Sequence, residues 1–507
     1  MRRKNRIKAG IILAVLSASV CVNAEQTHKE NETVLTGLIF SSHSESYGVW
    51  TGSGAEKLSQ EKNIRLEFFP KKSGAKLEQY MAAGTLPDFM VIDKSQISLL
   101  TNTSLLLCLD DYSEQLSSVL ENPVYEKALS YCRENFGGEE EELYLLPLEV
   151  GKETDGEFEW LPMLQWSVYQ QAGCPKLEDL LDYLDVVEEM QHYKSTIPTG
   201  ERVYGFSLYG EQDDCIITET AALSYLYGID IGSLSPLLEM EGSSKEIRSV
   251  LSDEGFYKKA LEFYFEANQR GLLDPDSRTQ TSDGFKQKYD KGRILFANSS
   301  SIVKDYNEGD AFQATNYVPI PAADMKIYRK QDSSWGTGRY IGISQNTVNP
   351  EQASEFLEWL YQEETISYFY ENPQAMEPFD LLGLSQNLAG TDESVCFYRE
   401  ATEEGFAENI TIEEYLLEQD MVQEGTSAVY MLPVEPAEIQ KITKEIGEVV
   451  QKLSWDMIYA QDRTSFERLW EQMKEEGYRL GMEKLEQYYQ SVWAEALEKE
   501  KIYGETS

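Results

Sequence analysis

The sequence predicts an α/β fold of two lobes with a helical C-terminal region, and three observations support this prediction. Short apolar, β-rich runs alternate with helical segments in the first part of the chain, a pattern typical of parallel sheets covered by helices. Of the 507 residues, about 480 follow an N-terminal leader, which is too many for one hydrophobic core and suits two lobes or domains of about 200 residues each. From residue 436 onwards, the apolar residues recur at helical spacing.

Residues 1–24 have the composition of a secretory signal peptide. Five basic residues among the first eight precede an apolar run over 9–20 that is too short to span a bilayer. Small residues favour cleavage after Ala24. Lipid attachment at Cys21 is the alternative, although bulky Val20 stands where a lipoprotein signal has a small residue. We therefore expect a mature chain outside the cytoplasmic membrane, either soluble or tethered by its N-terminus.

The charge of the chain excludes one class of partner. The sequence has 45 basic and 88 acidic residues and a formal net charge of -43. Removal of the leader and its five cations would bring the net charge to about -48. Such a surface repels phosphate backbones and anionic lipids, so we expect no nucleic-acid partner and no membrane contact beyond an N-terminal anchor. It is typical of an exported protein kept in solution, and a site for a cationic ligand is the alternative.

The cysteines indicate neither a zinc site nor a disulfide framework. Cys108, Cys132, Cys174, Cys215 and Cys396 are widely spaced and include no CxxC pair. Isolated cysteines are mostly small buried hydrophobic residues. A disulfide between Cys108 and Cys132 is the open alternative.

The first elements form a β-loop-α-β unit. A strand over Thr33 to Phe40 is followed by a polar loop, Ser41 to Gly54, by a helix over Ala55 to Lys62, and by a strand over Ile64 to Phe68. The two strands are predicted to pair in parallel, with ligands meeting the loops at their carboxyl ends.

The next unit repeats this order around a sharp turn. A helix over Lys76 to Ala83 is predicted to end at Gly84, because glycine after the last apolar turn is a common helix stop. Pro87-Asp88 then prevents the helix from resuming and leads into a buried strand, Phe89 to Ile92, which ends at Asp93.

Prolines mark two further extended segments as edge strands or crossovers between lobes. These are Leu143 to Val150, interrupted by Pro147, and Tyr317 to Pro321.

Asp274-Pro275-Asp276 is predicted to be a turn, because its residues do not have the spacing of ligands in a calcium-binding loop. The other predicted elements are helices starting near Gln165 and Lys176, helices over Phe256 to Arg270, 349–361 with Asn349 as its cap, Pro436 to Leu453 and Arg463 to Glu500, and strands over Val203 to Leu208, Arg293 to Ala297 and Gly338 to Ser344.

Five phrases in this order resemble the extracellular solute-binding proteins that deliver ligands to ABC importers (family 1). They are closest to the larger, lipoprotein-type members that accompany oligosaccharide importers. The phrases are LEQYMAAGTLPDFMVID at Leu77 to Asp93, LCLDDY at Leu107 to Tyr112, FYFEANQRGLLDPDS at Phe263 to Ser277, KGRILFA at Lys291 to Ala297, and GISQNTVNPEQASEFLEWLY at Gly342 to Tyr361.

The resemblance implies a type II periplasmic-binding-protein-like fold, in which two α/β lobes close on a ligand like a hinge. Carried over to this chain, lobe one would comprise 33–148 and 322–345, and lobe two would comprise 149–316 and 346–500, including the helical region 436–500.

Candidate ligand contacts follow from the chemistry of sugars, which need flat aromatic rings to stack on and polar groups for their hydroxyls. Trp335 and Trp50 are candidates because glycines flank them in predicted loops. Polar candidates lie at strand ends or crossovers. They are Ser42 and His43 after the first strand, Asp93 after the third, Glu149 at the first crossover, and Tyr209 after Val203 to Leu208.

The predicted function is that of a monomeric, non-enzymatic receptor that captures a carbohydrate and delivers it to an ABC permease. No cofactor and no metal site are expected. The chain has no GxSxG, HExxH or P-loop motif and only three histidines, which argues against several enzyme classes. A secreted glycosidase remains an alternative, because 88 acidic residues offer carboxylate pairs at any spacing. Binding of peptides or other ligands by the same fold is the other alternative.

Overall fold

A computed structural model describes residues 32–39, 48–69, 77–93, 97, 105–148, 150, 158, 160–210, 215–299, 303, 317–329, 336, 338–376, 397–398, 401–402, 405–406, 410–433 and 435–504. The strands are β1 Thr33–Ile39, β2 Gly48–Val49, β3 Ile64–Phe68, β4 Phe89–Asp93, β5 Leu146–Pro147, β6 Met163–Gln165, β7 Ile229–Ile231, β8 Leu238–Glu241, β9 Ile247–Ser249, β10 Phe296–Ala297, β11 Tyr317–Pro319, β12 Ile327–Arg329, β13 Arg339–Ile343, β14 Phe397–Tyr398, β15 Ala401–Thr402, β16 Gly405–Phe406, β17 Ile410–Thr411 and β18 Val422–Glu424. The α-helices are α1 Ser53–Lys62, α2 Leu77–Ala83, α3 Ser117–Leu120, α4 Glu126–Phe136, α5 Trp166–Gln171, α6 Asp182–Tyr193, α7 Thr218–Tyr225, α8 Phe256–Gln269, α9 Ser282–Asp290, α10 Pro350–Tyr361, α11 Glu363–Glu371, α12 Ile412–Glu418, α13 Ala437–Ile458, α14 Arg463–Leu480 and α15 Met482–Gly504.

A six-stranded sheet in the order β2-β3-β1-β4-β13-β5 forms the centre of the first lobe. β1 pairs in parallel with β3 and with β4, which confirms the predicted β-loop-α-β opening. β13 runs antiparallel to β4, and β5 ends the sheet. Pro147 therefore lies on an edge strand, as predicted, where its missing N–H interrupts no ladder in the middle of the sheet.

The turn between α2 and β4 follows the sequence closely. α2 ends at Gly84, whose φ of +63° lies in the left-handed region that glycine adopts readily. β4 is buried from Phe89 to Ile92, so it is a central strand of the sheet.

The second lobe is built around a small antiparallel sheet in the order β10-β6-β11. A three-stranded sheet, β7-β8-β9, and a parallel pair, β12-β18, lie beside it. Helices cover these sheets, and α13 packs against both α8 and α14. The α/β prediction is thus confirmed in both lobes, and the chain from residue 437 to residue 504 is helical as predicted.

Contacts of two segments contradict the predicted division into lobes. Helix α10, assigned to lobe two, packs in the first lobe instead. The ring centroids of Phe356 and Phe89 are 4.9 Å apart, and the Trp359 indole N–H donates to the Glu61 carboxylate at 2.7 Å. Strand β12, assigned to lobe one, pairs with β18 in the second lobe instead. An amphipathic pattern shows that a segment is buried but does not identify the surface that buries it.

Two local predictions also differ from the structure. Residues 203–208 form single bridges to separate neighbours, not a strand, because Tyr204 pairs with Ile294 and Phe206 pairs with Leu273. Helix α6 begins at Asp182 and not near Lys176, since the Asp182 carboxylate accepts from the backbone N–H of Glu178 at 2.6 Å and forms a turn there.

The structure corrects two further predictions, one on the cap of helix α10 and one on the last long helix. The Asn349 side chain makes no capping hydrogen bond to α10, although its carbonyl accepts from the Ala353 N–H at 2.9 Å. The helical stretch from Arg463 to Glu500 is two helices, because Gly481 has a φ of +116° and ends α14.

The cysteines of the described residues are all thiols. Cys108, Cys132, Cys174 and Cys215 take part in no disulfide, so the bond between Cys108 and Cys132 is not formed. Cys21 and Cys396 lie outside the described residues. Within the part of the chain that the structure describes, no helix combines the length and the apolar character needed to cross a membrane.

Candidate functional site

The chain passes between the two lobes three times. The first passage leads from Leu148 to Leu161, the second from Arg329 to Arg339, and the third from Met376 to Phe397, where β14 packs against β11 of the second lobe. The Leu148 N–H donates to the Arg339 carbonyl at 2.9 Å, and a Cβ on Gly336 would lie 2.7 Å from the Leu148 carbonyl oxygen. The first and second passages are therefore in close contact where they leave the first sheet, and only glycine fits at position 336.

The first passage enters the second lobe beside β10 and β11. The Leu161 N–H donates to the Asn298 carbonyl at 2.8 Å, and the Ile320 N–H donates to the Pro162 carbonyl at 2.9 Å. These bonds fix the backbone on either side of position 161. The side chain that precedes it, Trp160, is thereby held at the junction of the lobes.

Trp160, Tyr225 and Tyr328 form a group that we call the aromatic platform. The rings of Trp160 and Tyr225 are stacked, with centroids 6.1 Å apart and planes 25° apart. Tyr328 meets Tyr225 edge-on at 5.6 Å. Trp160 and Tyr225 are partly exposed, whereas Tyr328 is buried. Trp160 and Tyr225 are thus partly accessible, and Tyr328 packs edge-on against Tyr225 as a buried support.

Asp230 fixes the tyrosines of the platform. It is only 2% exposed, and its carboxylate accepts from the Tyr225 hydroxyl at 3.0 Å and from the Ser233 N–H at 3.2 Å. Burial raises the pKa of Tyr328 far above its ordinary value, and the neighbouring Asp230 carboxylate raises it further. The Tyr328 hydroxyl therefore remains a protonated donor, and the hydrogen bond from Tyr225 to Asp230 restrains the Tyr225 ring.

A second buried network lies under Tyr209. Asp274 is fully buried and accepts from the Ser207 hydroxyl at 2.8 Å and from the Lys288 ammonium at 2.6 Å. Tyr209 is half-buried, with its ring 4.6 Å from that of Phe285. The network thus holds the backbone from which Tyr209 projects.

The acids at 274 and 276 bind a side chain of the protein. Asp276 also accepts from Lys288, at 2.9 Å, and the segment is a turn, as predicted. Within the described ranges, no group of three or more His, Cys, Asp or Glu side chains is arranged to hold a metal ion.

Trp50, a candidate ligand contact from the sequence, is a buried residue of the first lobe. Trp50 is 2% exposed, its ring lies 6.3 Å from that of Phe369, and a Cβ on Gly54 would lie 2.7 Å from it. The glycines near Trp50 allow α1 to pack on the ring and do not free the ring for a ligand. Its indole N–H has no hydrogen-bond partner among the described residues.

The other predicted site residues are tested only in part. Asp93 ends β4 as predicted, opposite Arg339, and its side chain is outside the described set. Tyr209 is described above. Ser42, His43, Glu149 and Trp335 lie outside the described residues.

Sequence reasoning missed the aromatic platform. The sequence around Trp160 has no feature that distinguishes this tryptophan from others near loops, and Tyr225 lies on helix α7, which has no functional motif. The partners are 65 and 168 positions from Trp160 along the chain, so no local spacing indicates their contact.

Comparisons by sequence gave no match, either to a family model or to a curated protein. Comparison with solved structures gave matches across almost the whole chain. An HMO-binding ABC-transporter-associated solute-binding protein from Bifidobacterium longum infantis is 13% identical, with a TM-score of 0.59 and coverage of 92% of this chain and 99% of the other. The FusA substrate-binding protein of an S. pneumoniae ABC transporter, in complex with kestose, is 12% identical, with a TM-score of 0.62 and coverage of 94% and 100%. The alginate-binding protein AlgQ2 is 11% identical, with a TM-score of 0.57 and coverage of 92% and 99%. This chain therefore has the two-lobed α/β fold of these binding proteins, which confirms the predicted fold class.

Proposed function

We propose that this protein is an extracellular solute-binding protein of an ABC importer, which captures an oligosaccharide between its lobes and presents it to a membrane permease. Its fold is similar, over more than nine tenths of the chain, to proteins described as binding kestose, alginate and HMO. The neighbours are binding proteins and not enzymes, which favours capture without catalysis.

The observation that carries this proposal is the aromatic platform at the junction of the lobes. A sugar ring has an apolar C–H face that stacks on a flat aromatic ring and hydroxyls that need polar partners. Trp160 supplies a partly exposed flat ring, and Tyr225 and Asp230 hold it in a fixed position. A rigid ring loses little entropy when a ligand binds to it, so it supports affinity at low cost.

The proposal also includes further candidate residues for ligand contact and the location of the protein. Ser42, His43, Asp93, Glu149 and Trp335 stay candidates for ligand contact. So does Tyr209. We further propose that the leader is removed or replaced by a lipid anchor on Cys21, and that the mature protein acts as a monomer at the outer face of the cytoplasmic membrane.

Thermal unfolding with a ligand panel tests the proposal. The panel contains kestose, alginate oligosaccharides, milk oligosaccharides and, as another chemical class, oligopeptides. A ligand at 100 times its Kd stabilises the folded state by about 2.7 kcal/mol, which raises the Tm measurably. At least one saccharide should raise the Tm, and its Kd should follow by isothermal titration calorimetry.

Variants at position 160 connect any binding to the platform. Trp160→Ala should weaken saccharide binding by about tenfold, equivalent to about 1.4 kcal/mol, and Trp160→Phe should weaken it less because a flat ring remains. Tyr193→Ala, which removes a ring that is 52% exposed at the end of α6, is the control and should leave Kd unchanged. Hydrolysis of the saccharides, or a Tm rise with peptides alone, would contradict the proposal.

A further inference from the structure

Arg329 is a buried cation held by two carboxylates from another part of the chain. Its side chain is 9% exposed. Its Nε donates to one oxygen of Glu424 at 3.1 Å and its Nη2 donates to the other, so this pair is bidentate. Its Nη1 donates to Glu413 at 3.0 Å. Arg329 and Glu424 are also register partners of β12 and β18, so backbone pairing and side-chain pairing reinforce each other.

The same guanidinium contacts the first passage. Its central carbon lies 5.9 Å above the centre of the Phe158 ring. Phe158 precedes Trp160 by two residues and belongs to the stretch that comes from the first lobe. Arg329 is thus the point at which chain segments from 158, 413 and 424 meet.

Two of these positions lie at the second-lobe ends of passages. Phe158 lies at the end of the first passage, and Arg329 is the last described residue before the second. Glu413 in helix α12 and Glu424 in β18 lie farther along the second lobe, after β14, which packs against β11. One side chain therefore joins the ends of two passages to two later segments of the second lobe.

Arg329 also adjoins the aromatic platform on both sides. Its chain neighbour Tyr328 supports Tyr225 edge-on, and its partner Phe158 lies two residues from Trp160. A shift of the Arg329 side chain would therefore move both the supporting ring and the stacking ring.

We propose that Arg329 is a positioning residue, which sets the place of Trp160 on Tyr225 by binding Phe158, Glu413 and Glu424 at one point. In this role it acts through Phe158, which precedes Trp160 by two residues, and through its own backbone next to Tyr328. The inference rests on the proposed function, since it assigns Arg329 a role in the affinity of the same site. Only a planar, bidentate cation meets all three partners, so lysine cannot replace it.

A double-mutant cycle tests whether Arg329 acts through Trp160. Arg329→Met should weaken saccharide binding by about tenfold in the wild-type background but by less than about twofold in the Trp160→Ala background. Arg329→Lys should resemble Arg329→Met. Kd is measured by calorimetry with the saccharide that gives the largest Tm shift. An equal loss in both backgrounds would show that Arg329 acts independently of Trp160 and would overturn the inference.

The matched control is Arg270→Met. Arg270 is also an arginine held by several carboxylates, from Asp185, Glu188 and Glu266, but it lies between α6 and α8 and contacts no platform residue. Its loss should lower the Tm without changing Kd in either background. This outcome separates positioning from a general loss of stability.

A second measurement needs no ligand. With 5-fluorotryptophan in all eight tryptophans, the ¹⁹F resonance of Trp160 is the one absent from Trp160→Phe. Arg329→Met should shift or broaden this resonance and leave that of Trp470, buried on α14, unchanged. An unmoved Trp160 resonance would overturn the inference. If no saccharide binds the wild type, the proposed function fails, while this spectrum still decides the role of Arg329.

Discussion

Asp88 and Thr36 form three hydrogen bonds, which connect strands β1 and β4 just outside the region where their backbones pair. One carboxylate oxygen of Asp88 accepts from the Thr36 N–H and from the Thr36 hydroxyl, both at 2.7 Å, and the Asp88 N–H donates to the Thr36 hydroxyl at 3.0 Å. β1 and β4 pair through their backbones only from Gly37 and Phe89 onwards. The other oxygen of Asp88 accepts from the Thr347 hydroxyl at 2.6 Å, just beyond β13. Asp88 therefore ties three neighbouring strands at one end of the first sheet.

Asp88→Ala should destabilise the protein by about 2–3 kcal/mol, because hydrogen bonds to a charged acceptor are lost and the Thr36 N–H has no replacement partner. Asp88→Asn should cost less, since its amide oxygen can still accept from Thr36. Urea denaturation measures both. Asp111→Ala removes an exposed aspartate and should stay within about 0.5 kcal/mol of the wild type. If Asp88→Ala behaves like Asp111→Ala, the strand-tying role is wrong.

Glu500 anchors the C-terminal helix α15 to the segment after β18. Its carboxylate accepts from Lys245 at 2.8 Å, from the hydroxyls of Thr426 and Ser427 at 2.6 and 3.0 Å, and from the Ala428 N–H at 3.2 Å. Burial alone would raise the pKa of Glu500, but the hydrogen bonds from Lys245 and the two hydroxyls outweigh it and leave the pKa below its ordinary value.

The stability difference between the wild type and Glu500→Gln should therefore depend on pH. Because the pKa is lower in the folded state, the carboxylate stabilises the fold above its unfolded-state pKa, and this stabilisation is lost as the pH falls through the folded-state pKa. The difference should be large at pH 7 and shrink from about pH 5 downwards, as followed by urea denaturation. Glu498→Gln, with a side chain that is 69% exposed, is the control and should show little difference from the wild type. A difference for Glu500→Gln that is constant with pH would contradict the prediction.

Lys194 should react with acylating reagents at an unusually low pH. Its ammonium donates to the Gln165 side-chain oxygen at 2.6 Å and forms no ion pair with a carboxylate of the described residues. Burial lowers the pKa of Lys194 to about 8. Pulse acetylation with peptide mass spectrometry should give half-maximal labelling of Lys194 near that pH. Lys441, with a side chain that is 73% exposed, is the internal reference for access of the reagent. A labelling midpoint of Lys194 well above pH 8 would refute the prediction.

Local patterns in the sequence predicted the elements of the first lobe well. The strand Ile64–Phe68 agrees to the residue, and α2 stops at Gly84, because alternation, helical spacing and turn chemistry are properties of neighbouring residues. The same patterns do not predict which distant surface a segment contacts. Helix α10 was recognised as amphipathic, yet its packing on Phe89 depends on where the second passage returns the chain.

The candidate site was less predictable for the same physical reason. Trp160 meets Tyr225, and Tyr225 meets Tyr328, through tertiary contacts between segments that are distant in the sequence, and the register of β12 with β18 fixes the position of Tyr328. Trp50 had the glycines of a surface loop, but Phe369, more than 300 residues later, buries its ring. Glycines next to a tryptophan in the sequence therefore indicate a flexible backbone, but tertiary packing determines whether the tryptophan ring is exposed.

Lys288 should be essential for the stability of the segment that carries Tyr209. The ammonium lies 2.6 Å from fully buried Asp274, so Lys288→Met would leave a carboxylate without its cation and should cost about 3–5 kcal/mol. The double variant Asp274→Asn, Lys288→Met removes both charges and should recover part of this loss, because no buried charge remains unpaired. Lys291→Met is the matched control, since Lys291 is 51% exposed and its ion pair with Glu201 spans 3.6 Å, and it should have little effect. Urea denaturation gives the stabilities, and saccharide titration shows whether Tyr209 takes part in binding. A double variant as unstable as Lys288→Met would show that packing of the lysine side chain, and not its charge, holds this segment.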